Sequence, residues 1–135
     1  RSCFLAAGCG AAVAAAPPHP GQCDRTRRNA AAYGAEVRVV HGDAPGCLTG
    51  LPAPDAVFVG GGGADVVSHV ARLGARTVVA ALAAVDRVPA ARDALRAAAY
   101  DVGGVSLAAS RFADLPGGAT RLAAANPVFL VWGHR

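Results

Sequence analysis

The chain has no methionine and no lysine among its 135 residues, and it has only one Trp. Without an initiator Met it reads as a fragment of something longer. Without lysine, all thirteen basic residues are Arg, a forked donor suited to carboxylates and phosphates. No apolar stretch is long enough to cross a membrane, because Gly, Pro, Arg or Asp interrupts each one. Arg1 and the apolar Phe4 to Ala16 imitate a signal peptide, but Gly8-Cys9-Gly10 breaks that run. The Arg residues are scattered apart from Arg25, Arg27 and Arg28. They form no basic stripe with stacking aromatics, so nucleic acid is not the expected partner. No two cysteines have C-x-x-C spacing. Cys9, His19 and Cys23 imitate a zinc set, but a fourth ligand at plausible spacing is missing, and no metal is expected. Cys3, Cys9, Cys23 and Cys47 therefore read as small buried residues in a reducing cytoplasm.

What is present is a core. The sequence is 53% hydrophobic and 16% charged, a balance that suits one domain over residues 1–135. Strand and helix patterns alternate along it. Cys3 to Ala7 is expected as a strand, followed by Gly8-Cys9-Gly10 and an Ala-rich helix up to Ala16. A helix is expected over Arg25 to Tyr33, closed by Gly34, then a strand over Glu36 to Val40. Strands at Pro54 to Val59 and Arg76 to Leu82 enclose a helix over Asp65 to Leu73. Pro89 sits near the start of a further helix that continues to about Ala99. Val105 to Ser110 and Val128 to Trp132 close the chain as two strands with a Pro116-Gly117-Gly118 turn between them. Alternation predicts a parallel sheet with helices on both faces, and the ending adds an antiparallel hairpin. That layout is the class I S-adenosylmethionine-dependent methyltransferase, an α/β Rossmann-like fold.

The most informative stretch is Pro54-Asp55-Ala56-Val57-Phe58-Val59-Gly60-Gly61-Gly62-Gly63. Val57 to Val59 resemble a strand buried on both faces, and the strand runs straight into glycines. Ligands in open α/β sheets bind outside the carboxyl ends of strands, and glycine lets backbone approach them closely. The run is either a cofactor floor or a flexible loop. Gly8-Cys9-Gly10, after the expected first strand, could bring backbone N–H groups to a cofactor carboxylate. Gly42-Asp43-Ala44-Pro45 follows a later strand, where Asp43 could accept a hydrogen bond from an adenine amino group.

With these motifs in order, the sequence resembles the decarboxylating precorrin methyltransferase family of cobalamin biosynthesis. This domain forms the C-terminal part of precorrin-6Y C(5,15)-methyltransferases and also exists as a separate protein. The resemblance runs from about Asn29 to the end. It rests on Gly42-Asp43-Ala44-Pro45, the strand and glycines from Pro54 to Gly62, Arg76 to Leu82, and Asn126-Pro127-Val128-Phe129-Leu130-Val131-Trp132-Gly133. It implies S-adenosyl-L-methionine as cofactor, held by Gly8, Cys9, Gly10, Gly42, Asp43, Ala44, Gly60 and Gly61. It implies a precorrin as substrate, a reduced tetrapyrrole rich in carboxylates. The implied reaction methylates a bridge carbon and removes carbon dioxide from an acetate side chain. No catalytic residue is assigned, since positioning a nucleophilic carbon against a sulfonium suffices. Arg111 and Arg121 are either substrate carboxylate holders or solvated charge. A homo-oligomer and a fused second precorrin methylase domain are further implications.

The N-terminal third departs from the family. Ala6 stands where an acid is usual. The stretch from Ala16 to Asn29 is too short for the fold's second strand and its ribose-binding acid, so that strand is expected to be missing. Asp24 is the only carboxylate there and is placed in the following helix. Two alternatives follow: a degenerate, non-catalytic scaffold serving association, or a class I methyltransferase acting on another small molecule.

Overall fold

The computed structural model describes residues 6–135. They divide into two compact units, one ending at Pro52 and one over Ala53–Arg135.

The first unit is a strand–helix–strand. β1 (Val13–Ala15) and β2 (Val37–Val39) pair in parallel, Val13 opposite Val37 and Ala15 opposite Val39. Between them lies α1 (Pro20–Ala32), with His19 as N-cap and Pro20 at its first position, where a missing N–H costs nothing. The helix therefore starts five residues before the expected Arg25, at the Pro20-Gly21 pair. It ends as expected at Gly34, whose φ is +61°. There Gly34 N–H donates to the Ala31 carbonyl and Ala35 N–H to the Ala30 carbonyl, a Schellman closure.

The start of this unit corrects the sequence reading. The expected first strand lies partly outside the described residues, and its last two residues, Ala6 and Ala7, are helical. The described residues directly before Gly8-Cys9-Gly10 are helical rather than extended. Ala11 N–H donates to the Ala6 carbonyl and Gly10 N–H to the Ala7 carbonyl, and Gly10 has φ +84°. This is the same closure that ends α1, so the glycines cap a helical turn. The expected Ala-rich helix up to Ala16 is instead β1. A strand thus precedes α1 after all, at Val13–Ala15 rather than between Ala16 and Asn29, where none is found. Alanine's helix propensity is a weak prior, and the ladder to β2 overrides it.

The second unit carries a four-stranded sheet in the order β3-β4-β8-β5. β3 (Ala56–Val59) and β4 (Thr77–Leu82) run parallel. β8 (Val128–His134) lies antiparallel to both β4 and β5 (Asp101–Leu107), as the terminal-hairpin layout requires. α2 (Ala64–Arg72) follows β3, and α3 (Arg87–Ala97) follows β4. α2 buries Val67, Val70 and Ala71, and α3 buries Ala91 and Leu95, each set at helical spacing. Their partners Val78, Ala80 and Leu82 of β4 and Val131 of β8 share one sheet face. The second face carries Phe58, Trp132 and Val105 and is partly exposed. Helices on both faces were expected; within this unit both pack on one. For the same reason β3 is not buried on both faces: Val59 is buried, but Phe58 is 53% exposed. Tyr100 pins the far end, its hydroxyl donating to the Ala75 carbonyl at 2.6 Å.

Between β5 and β8 the expected turn-rich loop is itself a hairpin. β6 (Ser110–Asp114) and β7 (Thr120–Ala124) pair antiparallel around Pro116-Gly117-Gly118.

Candidate functional site

In the first unit two loops leave the carboxyl ends of parallel strands and are laced together. Gly42 N–H donates to the Pro17 carbonyl at 3.3 Å, and the His41 imidazole Nε2 lies 3.2 Å from the Pro18 carbonyl. Gly42 has φ +151°, and a Cβ there would come within 2.8 Å of Cys47 Cβ, so the turn demands glycine. Asp43 is exposed, and its backbone carbonyl accepts from Cys47 N–H. Ala44 is half-buried, and the 3-10 turn Gly46–Leu48 follows. The loop after β1, Ala16-Pro17-Pro18-His19, contains no carboxylate. Asp24 is in α1, as expected, and pairs with Arg27 at 3.1 Å on the helix surface. Cys23 is buried and Cys47 half-buried, but Cys9 is exposed rather than in a core.

In the second unit Gly60 to Gly63 form the passage from β3 to α2. Gly61 has φ +156° and Gly62 φ +95°. A Cβ on Gly62 would stand 2.9 Å from Val66 Cγ2. Gly63 is the N-cap of α2, with Asp65 in its first turn. The turn is held from α3, where the Arg87 guanidinium donates to the Gly62 carbonyl at 3.3 Å. The run is therefore anchored at both ends rather than loose, a tie that the sequence pattern did not single out.

The two substrate candidates fall on one face of the β6–β7 hairpin. Arg111 lies opposite Ala123 and Arg121 opposite Ala113, so the two arginines are diagonal neighbours beside small residues. Both are exposed, and neither has an acid partner among the described residues. The other face of the hairpin carries the Phe112–Leu122 pair, 84% and 64% exposed. Gly42, Asp43 and Ala44 thus share one turn, Gly60 and Gly61 another, and Arg111 with Arg121 a third surface. Gly8, Cys9 and Gly10 close a helical turn of their own.

Comparison with known proteins places this geometry. The family described as a precorrin methyltransferase domain matches residues 4–132. A probable cobalt-precorrin-6B C(15)-methyltransferase (decarboxylating) from Pyrobaculum calidifontis is 32% identical over 115 residues, 81% of this chain and 58% of its own length. A precorrin-6Y C(5,15)-methyltransferase from a Sinorhizobium species is 49% identical over 47 residues, 34% of this chain and 11% of its own. The crystal structure of precorrin-6y C5,15-methyltransferase from Geobacter metallireducens superposes with TM-score 0.78 at 25% identity, covering 92% of this chain and 68% of that one. The chain thus spans little more than half of one curated relative and about a tenth of the other. The fold is that of class I S-adenosylmethionine-dependent methyltransferases, which the structural neighbours share. With its motifs in the family's order and the match running over nearly its whole length, the chain belongs to the precorrin methyltransferase family.

Proposed function

We propose that the protein carries out S-adenosylmethionine-dependent C-methylation of a precorrin, with decarboxylation of an acetate side chain, in cobalamin biosynthesis. The family match supports methyl transfer. The observation that carries the substrate class is the pair of unpaired arginines, Arg111 and Arg121, on one hairpin face. A guanidinium binds a carboxylate bidentately, and two side by side suit a ligand bearing several acids.

The residues present fit the cofactor at two turns. Asp43 accepts from the adenine amino group, while Gly42 and Ala44 shape the backbone around it. Gly60 and Gly61 let the chain pass close to the ligand after β3. At the ribose end residues 16–19 offer no carboxylate, so the affinity expected is weaker than with a full set. Bound S-adenosylmethionine supplies a methyl group on a sulfonium, already a good leaving group. What the chain's own residues do is hold and align, and no proton transfer is assigned to a side chain. A cytoplasmic homo-oligomer is part of the proposal. The exposed Phe112–Leu122 face supports association, since an isolated hairpin is marginal by itself, and sedimentation velocity tests it.

The test is turnover with precorrin. Replacing both Arg111 and Arg121 by Ala raises KM by about tenfold or more, from two lost charge-assisted contacts, and leaves S-adenosylhomocysteine affinity unchanged. An unchanged KM rejects the assignment. A second reading, a non-catalytic scaffold of the same family, is favoured by one observation: Gly8-Cys9-Gly10 is occupied in capping a helix and the loop after β1 has no acid.

A further inference from the structure

An arginine opens α3, where helix physics disfavours one. Arg87 is the first residue of the helix, and its first turn holds no acid. Asp86 precedes it as N-cap but makes no side-chain capping bond. The N-terminus of a helix carries partial positive charge, so a cation there is repelled. No ion pair compensates, since the acid–arginine pairs among the described residues are Arg27 with Asp24 and Arg96 with Asp93. Arg87 instead extends its guanidinium out of its own element and donates through Nη1 to the Gly62 carbonyl, 25 residues earlier in the chain.

The carbonyl it reaches belongs to a segment with little else to hold it. β3 and β4 are parallel neighbours, so the turn after β3 and the connection after β4 leave the sheet at the same end. That is the end where α/β sheets bind ligands. Apart from ladder and helix bonds, the hydrogen bond that reaches Gly60, Gly61 or Gly62 among the described residues is the one from Arg87. Gly63 needs no such tie, since its carbonyl already accepts from the N–H groups of Val66 and Val67. Glycine loses more backbone freedom on ordering than any other residue. A bond at Gly62 removes part of that freedom before a ligand arrives, and a preordered loop binds more tightly.

We propose that Arg87 is a positioning residue for cofactor binding, holding the glycine turn after β3 in the shape that receives S-adenosylmethionine. The inference rests on the reading that Gly60 and Gly61 border the cofactor. Arg87 acts through Gly62, from another element and across two loops. Arg87→Ala removes the tie, but it also relieves the clash with the helix dipole and places a good helix former in α3. A merely structural tie would lose stability and affinity together; here affinity falls while stability does not.

The experiment compares the full chain with its Arg87→Ala, Arg87→Lys and Arg96→Ala variants. Calorimetric titration with S-adenosylhomocysteine is expected to show affinity weakened about fivefold in Arg87→Ala. Arg87→Lys restores part of it, because it keeps a charged donor on a long stem. Arg96→Ala, on the same helix, leaves it unchanged. In thermal unfolding the Tm of Arg87→Ala is no lower than that of the unaltered protein. NMR relaxation of the backbone amides without ligand shows lower order parameters at Gly61 and Gly62 in Arg87→Ala, with Val67 and Val70 of α2 unchanged. Equal affinity in Arg87→Ala, or unchanged order parameters at the two glycines, overturns this inference and leaves cofactor binding standing. A Tm that falls in step with affinity reduces Arg87 to a structural residue and overturns it as well. No binding by the unaltered protein overturns the cofactor reading itself, and this inference with it.

Discussion

The two units of this chain differ in how much holds them together. In the first, the buried apolar residues among those described are Cys23 and Ala30, beneath a two-stranded sheet of three-residue strands. In the second, the buried set includes Val67, Val70, Val78, Leu82, Leu95 and Val131, and a buried tyrosine hydroxyl bonds the Ala75 carbonyl. Burial of each such side chain is worth about 1.5–3 kcal/mol, so the second unit has much the larger driving force. The candidate cofactor residues are divided between them: Gly42, Asp43 and Ala44 belong to the lightly packed unit, Gly60 and Gly61 to the well-packed one.

The sharpest way to break this contrast is in the core. Leu95→Ala, at a side chain with 0% exposure, is expected to destabilise the second unit by about 2–5 kcal/mol, measured by chemical denaturation. Next come the glycines. Gly62→Ala meets Val66 at 2.9 Å and holds φ at +95°, so a loss of about 1–3 kcal/mol is expected, together with weaker cofactor binding. Gly8→Ala meets nothing within 4 Å and sits in a helical turn; it should change stability by no more than about 1 kcal/mol, upward if at all. If the two glycines behave alike, the distinction between a packed turn and a helix cap fails. A further small effect is a gain in stability, opposite in sign to the losses at Leu95 and Gly62. Ala99 ends α3 at φ +62° in a Schellman closure that favours glycine, with Tyr100 N–H donating to the Leu95 carbonyl. Ala99→Gly should stabilise by about 1 kcal/mol in thermal unfolding.

The sequence was most legible where residue type and structure agree. Gly34 and Gly74 end helices at positive φ, and β3, β4 and β8 stand where their β-branched and aromatic runs put them. It was least legible in the first twenty residues. Ala11 to Ala16 favours a helix by propensity, yet Val13–Ala15 is a strand because β2 pairs with it. The described residues next to Gly8-Cys9-Gly10 are correspondingly helical on one side, at Ala6 and Ala7, and extended on the other, the reverse of what was expected. The β6–β7 hairpin was read as a loop around its correctly placed turn, since its short strands mix Arg, Ala and Asp with the Phe112–Leu122 pair. At the candidate site, the glycine run after β3 and the placing of Arg111 and Arg121 either side of a turn could be read from the residues. The Arg87 tie to Gly62 could not, because the direction of a side chain is not written in a one-dimensional pattern.

The central claim is that this chain binds S-adenosylmethionine even though residues 16–19 lack an acid. Calorimetric titration of the protein with S-adenosylhomocysteine tests it directly. The account predicts one saturable site, weakened by Asp43→Ala and by Gly62→Ala but untouched by Gly8→Ala. No heat at millimolar ligand would contradict it and leave the non-catalytic scaffold as the reading of this chain.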